Sequence, residues 1–363
     1  MQPELMETIQ RLPPLKSLAE RAPGVCLAGV TAFAISAISG RYIIRGLKRA
    51  AIAENTSHTP IEDDRLQKRL DAKNGTPTMG GLILLAGVVG GTLTWAGFDN
   101  TYAWVLVGCA MALGLLGGLD DWMKIRGRGH RNSGLRPRDK LLCQGGIGAL
   151  VGLAAWWAGP VGQGYAALSS ILGAGSGWMA LAFAGWSAIV VTTMANSANI
   201  SDGLDGLMSG LTLLAAVTLS ATMLTGLIPW GRGPVQPGAV MAGAVFCAAL
   251  GGACLGFLIY NSYPAQVFMG DVGSLAVGGG LGMAAIVGGA EILLPLAGLV
   301  FLVELGSSLL QIFTFHATGS TILPIAPIHH VFEQKGWSEP AIVLLFYLLG
   351  TACAFATVTL AGL

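Results

Sequence analysis

Two adjacent carboxylates, Asp120 and Asp121, close the segment Gly117-Gly118-Leu119-Asp120-Asp121-Trp122-Met123-Lys124. Side by side at a helix end they repel each other unless a cation or a proton compensates. The pair reads either as a solvated helix terminus or as a metal-facing or proton-accepting site, with Lys124 available for a phosphate. A second cluster, Asn196-Ser197-Ala198-Asn199-Ile200-Ser201-Asp202-Gly203-Leu204-Asp205-Gly206-Leu207, sets Asp202 and Asp205 three apart, on one face if a helix begins there. Capping by Ser201 or Asp202 is the plainer alternative. Two Asn, two Asp and two Gly in one short loop are more than a cap needs.

A third cluster is Phe268-Met269-Gly270-Asp271-Val272-Gly273-Ser274. Its glycines permit tight backbone, Asp271 suits a hard cation, and Phe268 offers a flat face for a base. Mg²⁺ keeps several waters and uses only one or two carboxylates beside substrate phosphates, so Asp271 alone suffices. Pro327-Ile328-His329-His330-Val331-Phe332-Glu333 sets two imidazoles about 100° apart on a helix, a poor arrangement for one metal. With no Cys cluster and no HxxxH, zinc is disfavoured. Lys73-Asn74-Gly75-Thr76-Pro77-Thr78-Met79-Gly80-Gly81 reads as glycine-mediated helix packing with threonine capping. Glu304, the one carboxylate deep in an apolar run, is either functional or a neutral, hydrogen-bonded structural group.

The elements that must position these groups are membrane helices. Of 363 residues, 53% are apolar and 11% charged, with a mean hydropathy of +0.66. A soluble domain has roughly 25% charged residues, so this chain has too little polar surface for water. Glycine, 54 residues, is as abundant as close helix packing in a bilayer requires. Apolar runs near 24–44, 78–97, 101–119, 141–160, 178–198, 205–228, 237–260, 273–290, 292–315 and 340–361 give ten transmembrane spans. The fold class is therefore an all-α polytopic integral membrane protein, a single transmembrane domain over 1–363. Residues 1–22 are a polar tail rather than a cleavable signal. The six cysteines read as small buried hydrophobes, with no disulfide frame.

Lys and Arg set the sidedness. Arg41–Lys73 carries eight, Lys124–Lys140 seven and Lys335 one more, against Arg232 alone in loops after even-numbered spans. Loops after odd-numbered spans should face the cytoplasm, with both termini on the extracytoplasmic side. The carboxylate and histidine clusters fall in those same cytoplasmic loops. A transporter would place such groups near the midplane on broken helices. Gathered at one membrane–water boundary, they suit a site where a soluble charged substrate meets a lipid one. A net charge of +1 carries no signal for nucleic acid, and none is expected as a partner.

Six segments in order, GTPTMGG (75–81), DDWMK (120–124), GLRPRDK (134–140), NSANISDGLDGL (196–207), YPAQVFMGDVGSL (263–275) and PIHHVFEQKGWSEP (327–340), resemble the phospho-N-acetylmuramoyl-pentapeptide transferases. That family lies within the polyprenyl-phosphate N-acetylhexosamine-1-phosphate transferase superfamily. The resemblance covers roughly residues 70–363 and implies a multi-pass enzyme of the bacterial inner membrane. It implies transfer of phospho-MurNAc-pentapeptide from UDP-MurNAc-pentapeptide to undecaprenyl phosphate, giving lipid I and UMP in peptidoglycan synthesis, with Mg²⁺ as cofactor and a homodimer as the assembly. A sister transferase passing N-acetylglucosamine phosphate to the same lipid is the alternative. The sequence departs from the family in two places: Val331 stands where a third consecutive histidine is usual, and the linker from Lys124 to Gly134 is long and rich in arginine (Arg126, Arg128, Arg131).

The resemblance and the residue chemistry together assign roles. Asp271 is the expected Mg²⁺ ligand, Asp120 the base or orienting carboxylate, and Asp121 its support. Asn199, Lys124 and Lys140 are expected on phosphate. Lys73, Asn196, Asp202, Asp205 and Asn261 are expected on the uridine side, with Phe268 stacked on uracil. His329 and His330 are expected on phosphate or sugar, His329 foremost. A lipid phosphate, with a second pKa of about 6, is already ionised near neutrality. Direct displacement is therefore expected over a covalent aspartyl-phosphate route.

Overall fold

The computed structural model describes residues 15–50, 52, 75–127, 134–159, 176–226 and 236–362. Lys73, Arg128, Arg131 and most of the 1–22 tail lie outside the described residues. Twelve helices are described: α1 (Leu15–Arg49), α2 (Gly81–Ala96), α3 (Thr101–Arg126), α4 (Pro137–Ala158), α5 (Ser176–Ser201), α6 (Leu207–Thr225), α7 (Pro237–Asn261), α8 (Gly270–Val287), α9 (Leu294–Ala297), α10 (Leu299–Thr318), α11 (His329–Gln334) and α12 (Glu339–Gly362). No strand occurs among the described residues.

Their boundaries follow from local chemistry. The Asn100 side chain accepts from Tyr102 N and caps α3. Pro137 and Pro237 open α4 and α7, where a missing N–H is harmless. Gly226 and Gly319, both left-handed, end α6 and α10.

Among the described residues, nine helices are long and apolar enough to cross a membrane. α2, apolar over 16 residues, makes a tenth that is only about 24 Å long at 1.5 Å per residue. These ten answer to the ten runs expected from sequence, with one correction. The run 292–315 is not one helix: Pro295 sits at the start of the four-residue α9, and Gly298 separates it from α10. Proline at a helix start and glycine behind it interrupt the ladder that a continuous span needs.

α8 is the centre of the bundle. Every residue from Asp271 to Val287 is buried, against α3 and α5 above all, with α7 and α2 beside them. α7 in turn packs on α1, α6 and α2, and α4 packs on α5. The closeness of α3 to α8 depends on Gly117, where a Cβ would lie 2.0 Å from the Asp271 carbonyl oxygen. Gly117→Val should therefore destabilise the protein by about 3 kcal/mol or more, read as a lower Tm in detergent. Gly108→Val, on the same helix with nothing within 4 Å of its Cβ, is the matched control. Equal Tm values for the two variants would contradict this packing.

Candidate active site

The C-terminal ends of α3, α5 and α7 and the N-terminal ends of α4, α6, α8 and α12 come together at one end of the bundle. α3 runs seven residues past the expected span end, and so carries Asp120, Asp121 and Lys124 on its last turns. α4 begins at Pro137 and brings Lys140 in its first turn. α5 carries Asn199 in its final turn, and α8 carries Asp271 in its first.

These side chains meet on Asp271. Its Oδ2 accepts from Lys140 Nζ at 2.6 Å and from Lys124 Nζ at 2.8 Å, and its Oδ1 accepts from Asn199 Nδ2 at 2.6 Å. The Asn199 amide also donates to Ser274 Oγ, one turn along α8, at 2.9 Å. Asp120 faces the same two ammonium groups, at 3.0 Å from Lys124 and 3.2 Å from Lys140. Leu135 N, just before α4, donates to the other oxygen of Asp120 at 2.6 Å. Asp121 accepts from Val272 N at 3.2 Å and fastens the start of α8 to the end of α3.

Two ammonium groups thus compensate Asp120 and Asp271, while Asp121, the other member of the adjacent pair, lies 3.9 Å from Lys124. They are not equivalent. The Lys140 side chain is 14% exposed and Lys124 47%, so water screens the second far more.

Residues 103–289, just over half of the chain, match a family model described as glycosyl transferase family 4. Residues 73–85 match phospho-N-acetylmuramoyl-pentapeptide-transferase signature 1. A protein of Desulfotalea psychrophila named phospho-N-acetylmuramoyl-pentapeptide-transferase is 38% identical over 349 residues, covering 92% of this chain and 91% of the relative. The one so named in Methylacidiphilum infernorum is 36% identical over 353 residues, with 92% and 91% covered. That of Rhodopseudomonas palustris is 37% identical over 314 residues, 82% of each. The chain belongs to the phospho-N-acetylmuramoyl-pentapeptide-transferase family.

The transferase brings together Asp120, Asp121, Lys124, Lys140, Asn199 and Asp271 in one cluster. The residues assigned to the uridine side are placed differently. Asn196 donates to Gln144 Oε1 and to Thr192 O, joining α5 to α4 inside the bundle. Asn261 is buried; its oxygen accepts from Gly206 N and Ser209 Oγ, and its amide donates to Val267 O. Asp205 is buried too, accepting from Ala265 N at 2.9 Å, while its own N–H donates to Glu339 Oε1 at 2.6 Å. Asn261 and Asp205 hold the turn 202–206 in shape, while Asn196 ties α5 to α4. Asp202 and Phe268 are half-buried at the surface of the same end.

His329, the imidazole expected foremost on substrate, has no exposed surface and pairs with Glu304 at 2.9 Å. His330 is half-buried and pairs with Glu333. Of the two, His330 is the more accessible imidazole, because His329 is turned onto Glu304 of α10. The 75–81 segment is likewise more than helix packing. Phe268 N donates to Pro77 O, and Gly80 N and Gly81 N donate to Phe268 O and Met269 O, so this segment braces the backbone around Phe268.

Three contributors escaped the sequence reading. Leu135 N and Ser274 carry no signal in their residue types. Glu339, a carboxylate just before Pro340 at a span entrance, was visible only as part of the PIHH segment.

Among the described residues, no three His, Cys, Asp or Glu side chains form a self-sufficient metal site. Mg²⁺ takes few protein oxygens and completes its shell with water and phosphate. Asp271 is already the point on which the local cations converge, and its hard oxygen donors fit such an ion.

Proposed function

We propose that the chain transfers phospho-MurNAc-pentapeptide from UDP-MurNAc-pentapeptide to undecaprenyl phosphate, giving lipid I and UMP, on the cytoplasmic side of a bacterial inner membrane. The observation that carries the chemistry is the Asp271 node, with two lysines and an asparagine on one carboxylate at the end of an apolar bundle. The names borne by its relatives favour the muramoyl-peptide substrate over the N-acetylglucosamine alternative. The sidedness rests on the lysine and arginine distribution. A homodimer belongs to the same reading through the family likeness.

A phosphoryl transfer between two anions is limited by repulsion and alignment. Lys124 and Lys140 would exchange part of their contact with Asp120 and Asp271 for substrate phosphate oxygens. The lipid phosphate oxygen attacks the phosphorus bound to the sugar, and the bridging P–O bond to the uridine phosphate breaks as UMP leaves. Asp120, beside both lysines, orients the attacking phosphate. Asp271, with Asn199 beside it, would hold Mg²⁺, which when bound neutralises charge on the diphosphate.

The test is UMP release by purified protein with undecaprenyl phosphate, Mg²⁺ and either UDP-MurNAc-pentapeptide or UDP-GlcNAc. Release with the first alone is expected; release with UDP-GlcNAc alone would establish the sister activity. Direct displacement also predicts no phosphorylated protein when the nucleotide substrate is supplied without lipid. Phosphate trapped on an aspartate under those conditions would establish the covalent route.

A further inference from the structure

Glu304 and His329 form a fully buried ionisable pair among the described residues that the site described so far does not use. Both are 0% exposed, and one sits on a helix otherwise bare of charge before His316. Burying two ionisable groups costs several kcal/mol, and apolar side chains of equal volume would pack there without that penalty. An ionisable residue retained within a membrane helix points to use rather than to packing.

The geometry shows what the pair acts on. Glu304 lies with Val300, Phe301 and Ser307 on the one buried stripe of α10. Ser307 Oγ accepts from Ile328 N at 3.2 Å, and Glu304 Oε2 meets His329 Nδ1 at 2.9 Å, so α10 seats the start of α11 at two adjacent points. The bond at Nδ1 leaves the opposite ring nitrogen, Nε2, facing Gly203. A Cβ at position 203 would lie 2.4 Å from Nε2, and Nε2 itself is buried without a hydrogen-bond partner among the described residues. The exposed backbone of Gly203 therefore rests directly on the imidazole. The far half of the same turn is fastened by other groups: Glu339 on Asp205 N, Asn261 on Gly206 N, and the Tyr347 hydroxyl donating to Gly206 O at 2.7 Å. Gly203, in the near half, lies against His329.

We infer that Glu304 is a positioning residue: through the His329 ring it fixes the Asp202–Gly203 half of the 202–206 turn, and so sets affinity for the nucleotide substrate without touching it. The inference rests on the expectation, carried by the family resemblance, that Asp202 of that turn lies on the uridine side of the site.

Two measurements test it. In the UMP-release assay, Glu304→Ala should raise KM for the nucleotide substrate about 10-fold, the scale of one lost buried hydrogen bond. It should leave KM for the lipid phosphate unchanged and kcat within about 3-fold. Glu304→Gln, which keeps an oxygen to accept from Nδ1, should restore near-wild-type KM. Gly203→Ala should raise the same KM, and its effect should not add to that of Glu304→Ala, because a released ring gives way to the new methyl. Hydrogen–deuterium exchange should speed up in the 202–206 amides of Glu304→Ala and stay unchanged in the α8 amides.

An unchanged nucleotide KM in Glu304→Ala, an equal rise for both substrates, or faster exchange throughout the bundle would overturn the inference. If Glu304→Ala is not recovered folded, Glu304→Gln decides, since a 10-fold rise in that variant is equally fatal. Wild-type protein inert with both sugar nucleotides would overturn the transferase reading instead. The exchange measurement needs no turnover and would still decide the role of Glu304.

Discussion

Asp271→Asn should lower kcat for UMP release by about 10³-fold or more, at the upper end of what removing one preorganised electrostatic contact costs. The substitution changes shape hardly at all, so the loss would come from charge. An asparagine amide turned toward Lys124 and Lys140 sets a donor against two donors; turned the other way, it meets the Asn199 amide. Either orientation leaves Lys140 with Asp120, and Lys124 with Asp120 and, at 3.9 Å, Asp121. The proposed Mg²⁺ ligand is lost in the same step. Because α8 is held along its whole length by apolar packing, the variant should stay folded, with Tm in detergent close to wild type. Activity within about 10-fold of wild type would remove Asp271 from the metal and phosphate chemistry.

Lys140→Ala should lower kcat/KM by about 10²–10³-fold, as truncating one partner of a buried charge pair commonly does. Lys124→Ala should cost only about 10-fold, since exposed ion pairs are screened. Both lysines touch both carboxylates, so sequence alone ranks them equally. Burial separates them: the 14% exposed Lys140 bridges Asp120 and Asp271 where water is scarce, whereas Lys124 stands 47% exposed. Without Lys140, the two carboxylates face each other with one half-solvated cation between them. The paired kcat/KM values check this, and a larger loss in Lys124→Ala would reverse the ranking.

How much was legible beforehand depended on the kind of physics involved. The membrane helices were readable because burial in lipid demands long apolar runs with every backbone group bonded internally. The acidic clusters were readable because such residues are rarely spared between apolar spans. The exception among the spans, the break into α9 and α10, lay in Pro295 and Gly298, which a count of apolar residues passes over. The site was readable wherever charge marked it, at Asp120, Lys124, Lys140 and Asp271. It was hidden wherever a partner was backbone or buried, as with Leu135 N on Asp120 or Glu339 on Asp205 N. Asn196, Asn261 and His329 looked like ligands because polar residues near a membrane boundary invite that reading. Asn196 and Asn261 bond within the protein, and His329 is buried against Glu304.

By itself the sequence determined that this chain is an all-helical membrane protein with ordered motifs resembling one transferase family. Those properties follow from composition and spacing, which act locally along the chain. Which carboxylate becomes the node, which lysine is buried, which histidine remains accessible and which asparagines serve the scaffold were decided only by tertiary packing. The physical reason is that helices from distant parts of the chain approach closely around α8. A side chain's role there depends on what the neighbouring helix places against it, and no residue's identity encodes its neighbour.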